Sequence, residues 1–136
     1  MNADFQKAPL MNKCEYKLYI RLIKLLNEQY YNKGLRLFSQ VSMGEFLKSK
    51  DSEAFKLINS KRVDFLIINN IGLPVVVIEY QGNGHFDNNF IERDAIKREV
   101  CRKVGIEFIE IKPEYDELEF DFIARALNSV ISKNVV

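Results

Sequence analysis

The chain has 136 residues, enough for one domain with a real core, and its hydrophobic and charged fractions are those of an ordinary globular protein. A net charge of +1 excludes a strongly basic protein that coats nucleic acid, so any basic surface must be local or come from another chain. No apolar run approaches the roughly 18 residues of a membrane span, and two cysteines, Cys14 and Cys101, suit neither a disulfide framework nor a zinc site.

The N-terminal MNADFQKAPLMNK has no apolar signal segment, so the expected compartment is the reducing cytoplasm, away from membranes. No repeat, low-complexity tract or linker divides the chain, and residues 1–136 read as a single domain. Residues 1–11 are a loose lead-in. Asn12 is a good N-cap, and Glu15 follows at capping-box spacing. The helix predicted from there runs to about Tyr31, with Gly34 available for a left-handed exit. Leu18, Leu22, Leu25 and Leu26 mark its core face. Glu15 projects from that same face, although spacing alone makes it a cap first.

Leu35–Val41 alternates and reads as a strand. Ser42-Met43-Gly44-Glu45 repeats the capping-box pattern and predicts a short helix to about Ser49, and Asp51 to about Ser60 predicts another. Two strands follow, Arg62–Asn69 and Leu73–Tyr80, joined by the turn chemistry of Asn69-Asn70-Ile71-Gly72. A two-residue loop at Ile71-Gly72 would pair Asn70 with Leu73 and set Asp64 opposite Glu79. Residues opposite each other in an antiparallel pair share a face, with Cβ atoms about 4.5–5.5 Å apart. Gln81 lies on that face if the strand continues. Two carboxylates so close raise each other's pKa. A lysine or arginine relieves the repulsion, and so does Mg²⁺, which is held by one or two carboxylates with waters and phosphate oxygens. The unbroken run Val75–Ile78 predicts a strand buried on both faces, at the centre of the sheet.

Gln81–Asn89 is a glycine-rich loop without the lysine and hydroxyl of a phosphate-cradling loop. It carries His85, the one histidine of the chain, six residues past Glu79 and suited to act as a general base. Asn88 or Asn89 caps the next predicted helix, Phe90–Val104, which Gly105 ends. Ile96, Val100 and Val104 give its expected buried stripe, with Asp94, Lys97, Arg98 and Cys101 on another side. With Arg93, Arg102 and Lys103 it is the most basic element, and the best candidate to meet a phosphate backbone. Ile106–Ile111 reads as a strand; reaching it through a helix implies parallel pairing with Leu73–Tyr80. After Pro113 a last helix covers about Leu118–Ser132, with Phe122, Ile123, Ala126, Leu127 and Val130 inward.

The predicted fold class is α/β. The order αβββαβ(α), a mixed four-stranded sheet flanked by helices with Asp64 and Glu79 on successive strands, resembles the PD-(D/E)XK, or restriction-endonuclease-like, nucleases over about Asn12–Ser132. Val63-Asp64-Phe65, Ile78-Glu79-Tyr80-Gln81-Gly82 with His85, Arg93-Asp94 with Lys97, and Gly105-Ile106 resemble the small bacterial and phage branch near very-short-patch-repair (Vsr-like) endonucleases. They also resemble a bacterial domain-of-unknown-function family found alone or fused to helicase-type modules. The resemblance implies a metal-dependent DNA endonuclease. Asp64 and Glu79 would hold Mg²⁺ or Mn²⁺. Glu15 would match the first-helix glutamate, which turns the reading of Glu15 from cap to site residue. His85 would be base or proton shuttle, Asp94 its orienting partner, and Lys97 a phosphate contact. Arg93 and Arg98 would join Lys97 in DNA binding. Gln81 departs from the pattern, because it stands where that superfamily carries a catalytic lysine. A degenerate module that binds nucleic acid or a partner protein is therefore the alternative. The implied partners are DNA and a larger DNA-processing or helicase-type module. The oligomeric state has no sequence signature here.

Overall fold

The structure is a computed structural model, and it describes residues 2–82 and 88–133. Four strands pair in chain order: β1 (Arg36–Ser42), β2 (Arg62–Ile68), β3 (Pro74–Tyr80) and β4 (Glu107–Ile111). The first two pairings are antiparallel, and β3 pairs with β4 in parallel, as the helical crossover requires. Four helices accompany them: α1 (Lys13–Gln29), α2 (Ser52–Ile58), α3 (Asn88–Val104) and α4 (Glu117–Lys133). The core order is therefore αβββαβα, with α2 inserted between β1 and β2. No helix among the described residues is long and apolar enough to cross a membrane.

Each face of the sheet has its own core. On one, Phe65, Ile67, Val76 and Ile78 meet Leu18 and Leu22 of α1 and Ile123 and Leu127 of α4. On the other, Val63, Leu66 and Val77 meet Met43, Leu47 and Ile58 of α2, with Cys101 of α3 and Ile106. The apolar run of β3 fits this, since both of its faces are covered.

The hairpin corrects one expectation and preserves its consequence. The loop has three residues, Asn70-Ile71-Gly72. Asn69 N–H donates to the Leu73 carbonyl at 2.9 Å, and Gly72 N–H donates to the Asn69 carbonyl at 3.0 Å. Gly72 takes φ +86°, the left-handed position that ends such loops. The side chain of Asn69 accepts from the N–H groups of Ile71 and Leu73, which fixes the turn. The odd loop would slip the register by one, but Ile68 pairs with Pro74 while Ile67 pairs with Val76, so Val75 is an extra residue on β3. The two irregularities cancel. Phe65 pairs with Ile78, and continuation of that register sets Asp64 opposite Glu79.

At the other end of α1, Gly34 has φ +74°, and a Cβ there would lie 2.6 Å from the Cβ of Asn70. The exit of α1 is thus pressed against the hairpin turn. The predicted helix at Ser42–Ser49 is a single 3₁₀ turn, Met43–Glu45, and Ser42 makes no side-chain cap. Met43 is fully buried, and its N–H donates to the Lys61 carbonyl at 2.7 Å, which ties the segment to the start of β2 rather than to a second helical turn.

Helix α3 is rotated relative to the expected stripe. Cys101 is fully buried and Asp94 buried, whereas Val104 is 55% exposed, and Ile96 and Val100 are only partly covered. The polar side faces the sheet because a buried carboxylate there requires a partner. In α4 the buried positions are Phe120, Ile123 and Leu127, with Ala126 and Val130 partly buried against the same core; Phe122 is 48% exposed and lies beneath the Arg125 guanidinium. Ile123→Ala should cost about 2–5 kcal/mol, and Val104→Ala within about 0.5 kcal/mol of zero, measured by urea denaturation.

Candidate active site

Beyond the Phe65–Ile78 pair the carboxylates themselves bridge β2 and β3. Asp64 N–H donates to Glu79 Oε2 at 3.1 Å, and Tyr80 N–H donates to Asp64 Oδ2 at 2.8 Å. Each carboxylate is held by the backbone of the opposite strand. Lys97 Nζ donates to Glu79 Oε1 at 2.8 Å, and both side chains are almost wholly buried, at 12% and 6% exposure. Gln81 N–H donates to the Ile111 carbonyl at 2.8 Å, continuing the β3–β4 pairing, while Gln81 Nε2 donates to Asp94 Oδ2 at 3.1 Å. Two side chains of α3, one turn apart, thus take up the two polar groups at the end of β3.

Glu15 caps α1 and also lines the cavity beside Asp64 and Glu79. Its Oε1 accepts from Asn12 N–H at 3.0 Å, and Asn12 Oδ1 accepts from Glu15 N–H at 2.8 Å, which completes the capping box. Its Oε2 accepts from Gln40 Nε2 at 3.0 Å. A cavity of about 230 Å³ brings together Glu15, Asp64, Glu79, Gln81, Asp94 and Lys97. Asp94 and Lys97 do not pair with each other but make two separate contacts, to Gln81 and Glu79.

Beside this cavity runs a groove of about 490 Å³ lined by Gln40, Lys61, Arg62 and Arg93, with Asp64 and Lys97 shared between the two. Lys61 and Arg62 escaped the sequence reading. The available signal was their position, two adjacent cations at the start of the strand that carries Asp64. Arg98 lies elsewhere, paired with Glu110 of β4 and over the Phe108 ring at 5.4 Å. His85 lies outside the described residues. Among the described residues no group of three or more His, Cys, Asp or Glu side chains is placed to hold a metal ion.

Burial, and then the adjacent Asp64 charge, push the Glu79 carboxyl up to about 8, against the pull of Lys97. Burial and then the Glu79 charge push the Cys101 thiol up to about 12, so it is no nucleophile near neutral pH.

The family described as "Protein of unknown function (DUF2726)" matches residues 7–128, a span that includes all six residues of the cavity named above. An uncharacterized protein of Haemophilus influenzae is 52% identical over 132 residues, which cover 97% of this chain and 68% of that protein. The uncharacterized protein y4bI of Sinorhizobium fredii is 36% identical over 111 residues, 82% of this chain and 79% of that protein. No solved structure gives a significant match. With its core elements inside the matched span, the chain belongs to the DUF2726 family.

Proposed function

We propose that this domain is a metal-dependent DNA endonuclease of the PD-(D/E)XK type, related to the Vsr-like branch. The observation that carries the reading is Lys97. The chain has glutamine at 81, where that superfamily carries lysine, yet an ammonium group from α3 arrives at the second carboxylate, 2.8 Å from Glu79. Asp64 and Glu79 would hold Mg²⁺, or Mn²⁺ in its place. The donor set fits: two hard carboxylates suffice for Mg²⁺ when waters and phosphate oxygens complete the shell. Burial, and then the Asp64 charge, disfavour the Glu79 anion, and a bound cation would relieve both. When bound, the metal supplies Lewis-acid stabilisation of the phosphate and a more acidic water.

The protein's own groups divide the remaining work. Lys97 offsets negative charge where it grows on the scissile phosphate. Gln81, with its Nε2 committed to Asp94, presents its amide oxygen as a fixed acceptor for a water hydrogen. Glu15 supports the shell from the rim of the cavity. Lys61, Arg62 and Arg93 would hold phosphates of the DNA backbone along the adjoining groove. Hydrolysis then adds water across one P–O bond, leaving a phosphate monoester and a free hydroxyl.

One observation favours a second reading, a binding module without catalysis: Glu79 already has a cationic partner in Lys97. The two readings separate in a plasmid-nicking assay. Asp64→Ala should reduce Mg²⁺-dependent nicking on the order of 10³-fold, the equivalent of several kcal/mol of Lewis-acid stabilisation, and leave DNA affinity nearly unchanged. Undiminished nicking by that variant would exclude Asp64 as a ligand. Wild-type protein that binds DNA equally with and without EDTA, and never nicks it, would support the binding module.

The groove makes its own prediction. Lys61→Ala with Arg62→Ala should weaken DNA binding, and the slope of log affinity against log salt should flatten by roughly 2. Titration of Glu79 gives a further one. Its raised carboxyl binds a proton in the folded state that it lacks when unfolded. The metal-free protein should therefore keep this contribution below the ordinary carboxylate range and lose it as pH rises through about 8. Mg²⁺ must displace that proton, so its affinity should climb towards pH 8 and then level off. Thermal midpoints and calorimetric titrations from pH 5 to 9 measure both trends, and Glu79→Gln should flatten the stability trend.

A further inference from the structure

Gln40 is the one non-glycine residue with a positive φ among the described residues, at +58°. It sits inside β1, where β-branched or extended residues are expected and where nothing in the local chain demands a turn. Its neighbours keep a regular register with β2, since Ser39 pairs with Phe65 and Val41 with Val63. The missing partnership is Gln40 with Asp64. The ladder is broken at the position opposite the first carboxylate of the site. A left-handed residue in a strand re-aims its side chain and persists only when its surroundings hold it there.

The side chain explains what holds it. Gln40 Nε2 donates to Glu15 Oε2 at 3.0 Å, across 25 residues of sequence. The other Glu15 oxygen is committed to the cap of α1. Gln40 therefore fixes the second oxygen of a carboxylate whose first oxygen is already fixed. It also lines the basic groove, while Glu15 lines the acidic cavity. The amide spans the boundary between the two.

We propose that Gln40 is a positioning residue of the nuclease reaction: its left-handed backbone turns the amide onto Glu15 and holds that carboxylate at the rim where a bound strand passes from the basic groove to Asp64 and Glu79. This assignment rests on the endonuclease reading. Gln40 touches no reacting atom and acts through Glu15 alone.

The test uses the full chain, supercoiled plasmid and Mg²⁺, with wild type, Gln40→Gly, Glu15→Gln and the double variant. Glycine adopts the positive φ without strain, so the first variant removes the amide and keeps the backbone. Gln40→Gly should lower kcat about 10–100-fold, as loss of an outer-shell partner does, with KM for plasmid and the thermal midpoint close to wild type. The double variant should be no slower than the slower single variant. In nitrogen–proton correlation spectra, Glu15→Gln should shift the Gln40 side-chain amide signals, a readout that needs no activity.

Wild-type nicking with undiminished kcat in Gln40→Gly would overturn the positioning role and leave the nuclease reading intact. So would losses that multiply in the double variant, or amide signals that Glu15→Gln leaves in place. A parallel fall in thermal midpoint, DNA affinity and kcat would mark Gln40 as purely structural. A wild-type protein that binds Mg²⁺ and DNA yet never nicks would overturn the endonuclease reading itself, and this assignment with it.

Discussion

Two carboxylates held across one antiparallel pair are the constraint on which the rest of the structure turns. Unit charges about 4 Å apart repel by roughly 4 kcal/mol at an effective dielectric constant near 20. Asp64 and Glu79 cannot relax away from each other, because each accepts a hydrogen bond from the other's strand. The repulsion must be met by protonation, by a cation, or by both. Helix α3 supplies the cation in Lys97, and that requirement decides which side of the helix faces the sheet. Asp94, Lys97 and Cys101 turn inward, and Val104 is left in solvent. An apolar residue is surrendered so that a charge can be satisfied, because an unpaired buried charge is the dearer of the two.

The same constraint explains which parts of the molecule were legible in the sequence. Strand β3 was, because an unbroken Val-Val-Val-Ile run has few homes other than a central strand. The Asn12–Glu15 box was, because its two hydrogen bonds are local and recur wherever the spacing does. The facing of Asp64 and Glu79 emerged despite a wrong loop length, since the Val75 bulge restores the register that the three-residue loop disturbs. Apolar periodicity misplaced α3 because it counts only apolar residues and cannot know that a buried glutamate lies across the interface. Ser42–Glu45 shows that a capping pattern without a following amphipathic run yields only a turn. Gln40 has no sequence signature, since glutamine is unremarkable in a strand and its φ is set by distant contacts.

Acidic cavity and basic groove share Asp64 and Lys97, so they form two halves of one surface. The near-neutral total charge thus conceals a local separation of sign, with Lys61, Arg62 and Arg93 gathered in the groove and carboxylates in the adjoining cavity. On the endonuclease reading, such an arrangement would hold a polyanion beside a pair of carboxylates without making the whole protein adhesive to nucleic acid.

The close approach of Gly34 to Asn70 has a consequence for how this fold can be elaborated. Hairpin tips are ordinarily among the most permissive places in a domain for extra residues. Here the tip of the β2–β3 hairpin abuts the exit of α1, and even a single methyl group at residue 34 would collide with it. The hairpin is gripped at its turn as well as at the carboxylate end, roughly 20 Å away along the strands. Insertions that graft new recognition surfaces onto this scaffold therefore have one route closed, and the segment between β1 and β2, where α2 already sits outside the core order, is the place where the scaffold has room to grow.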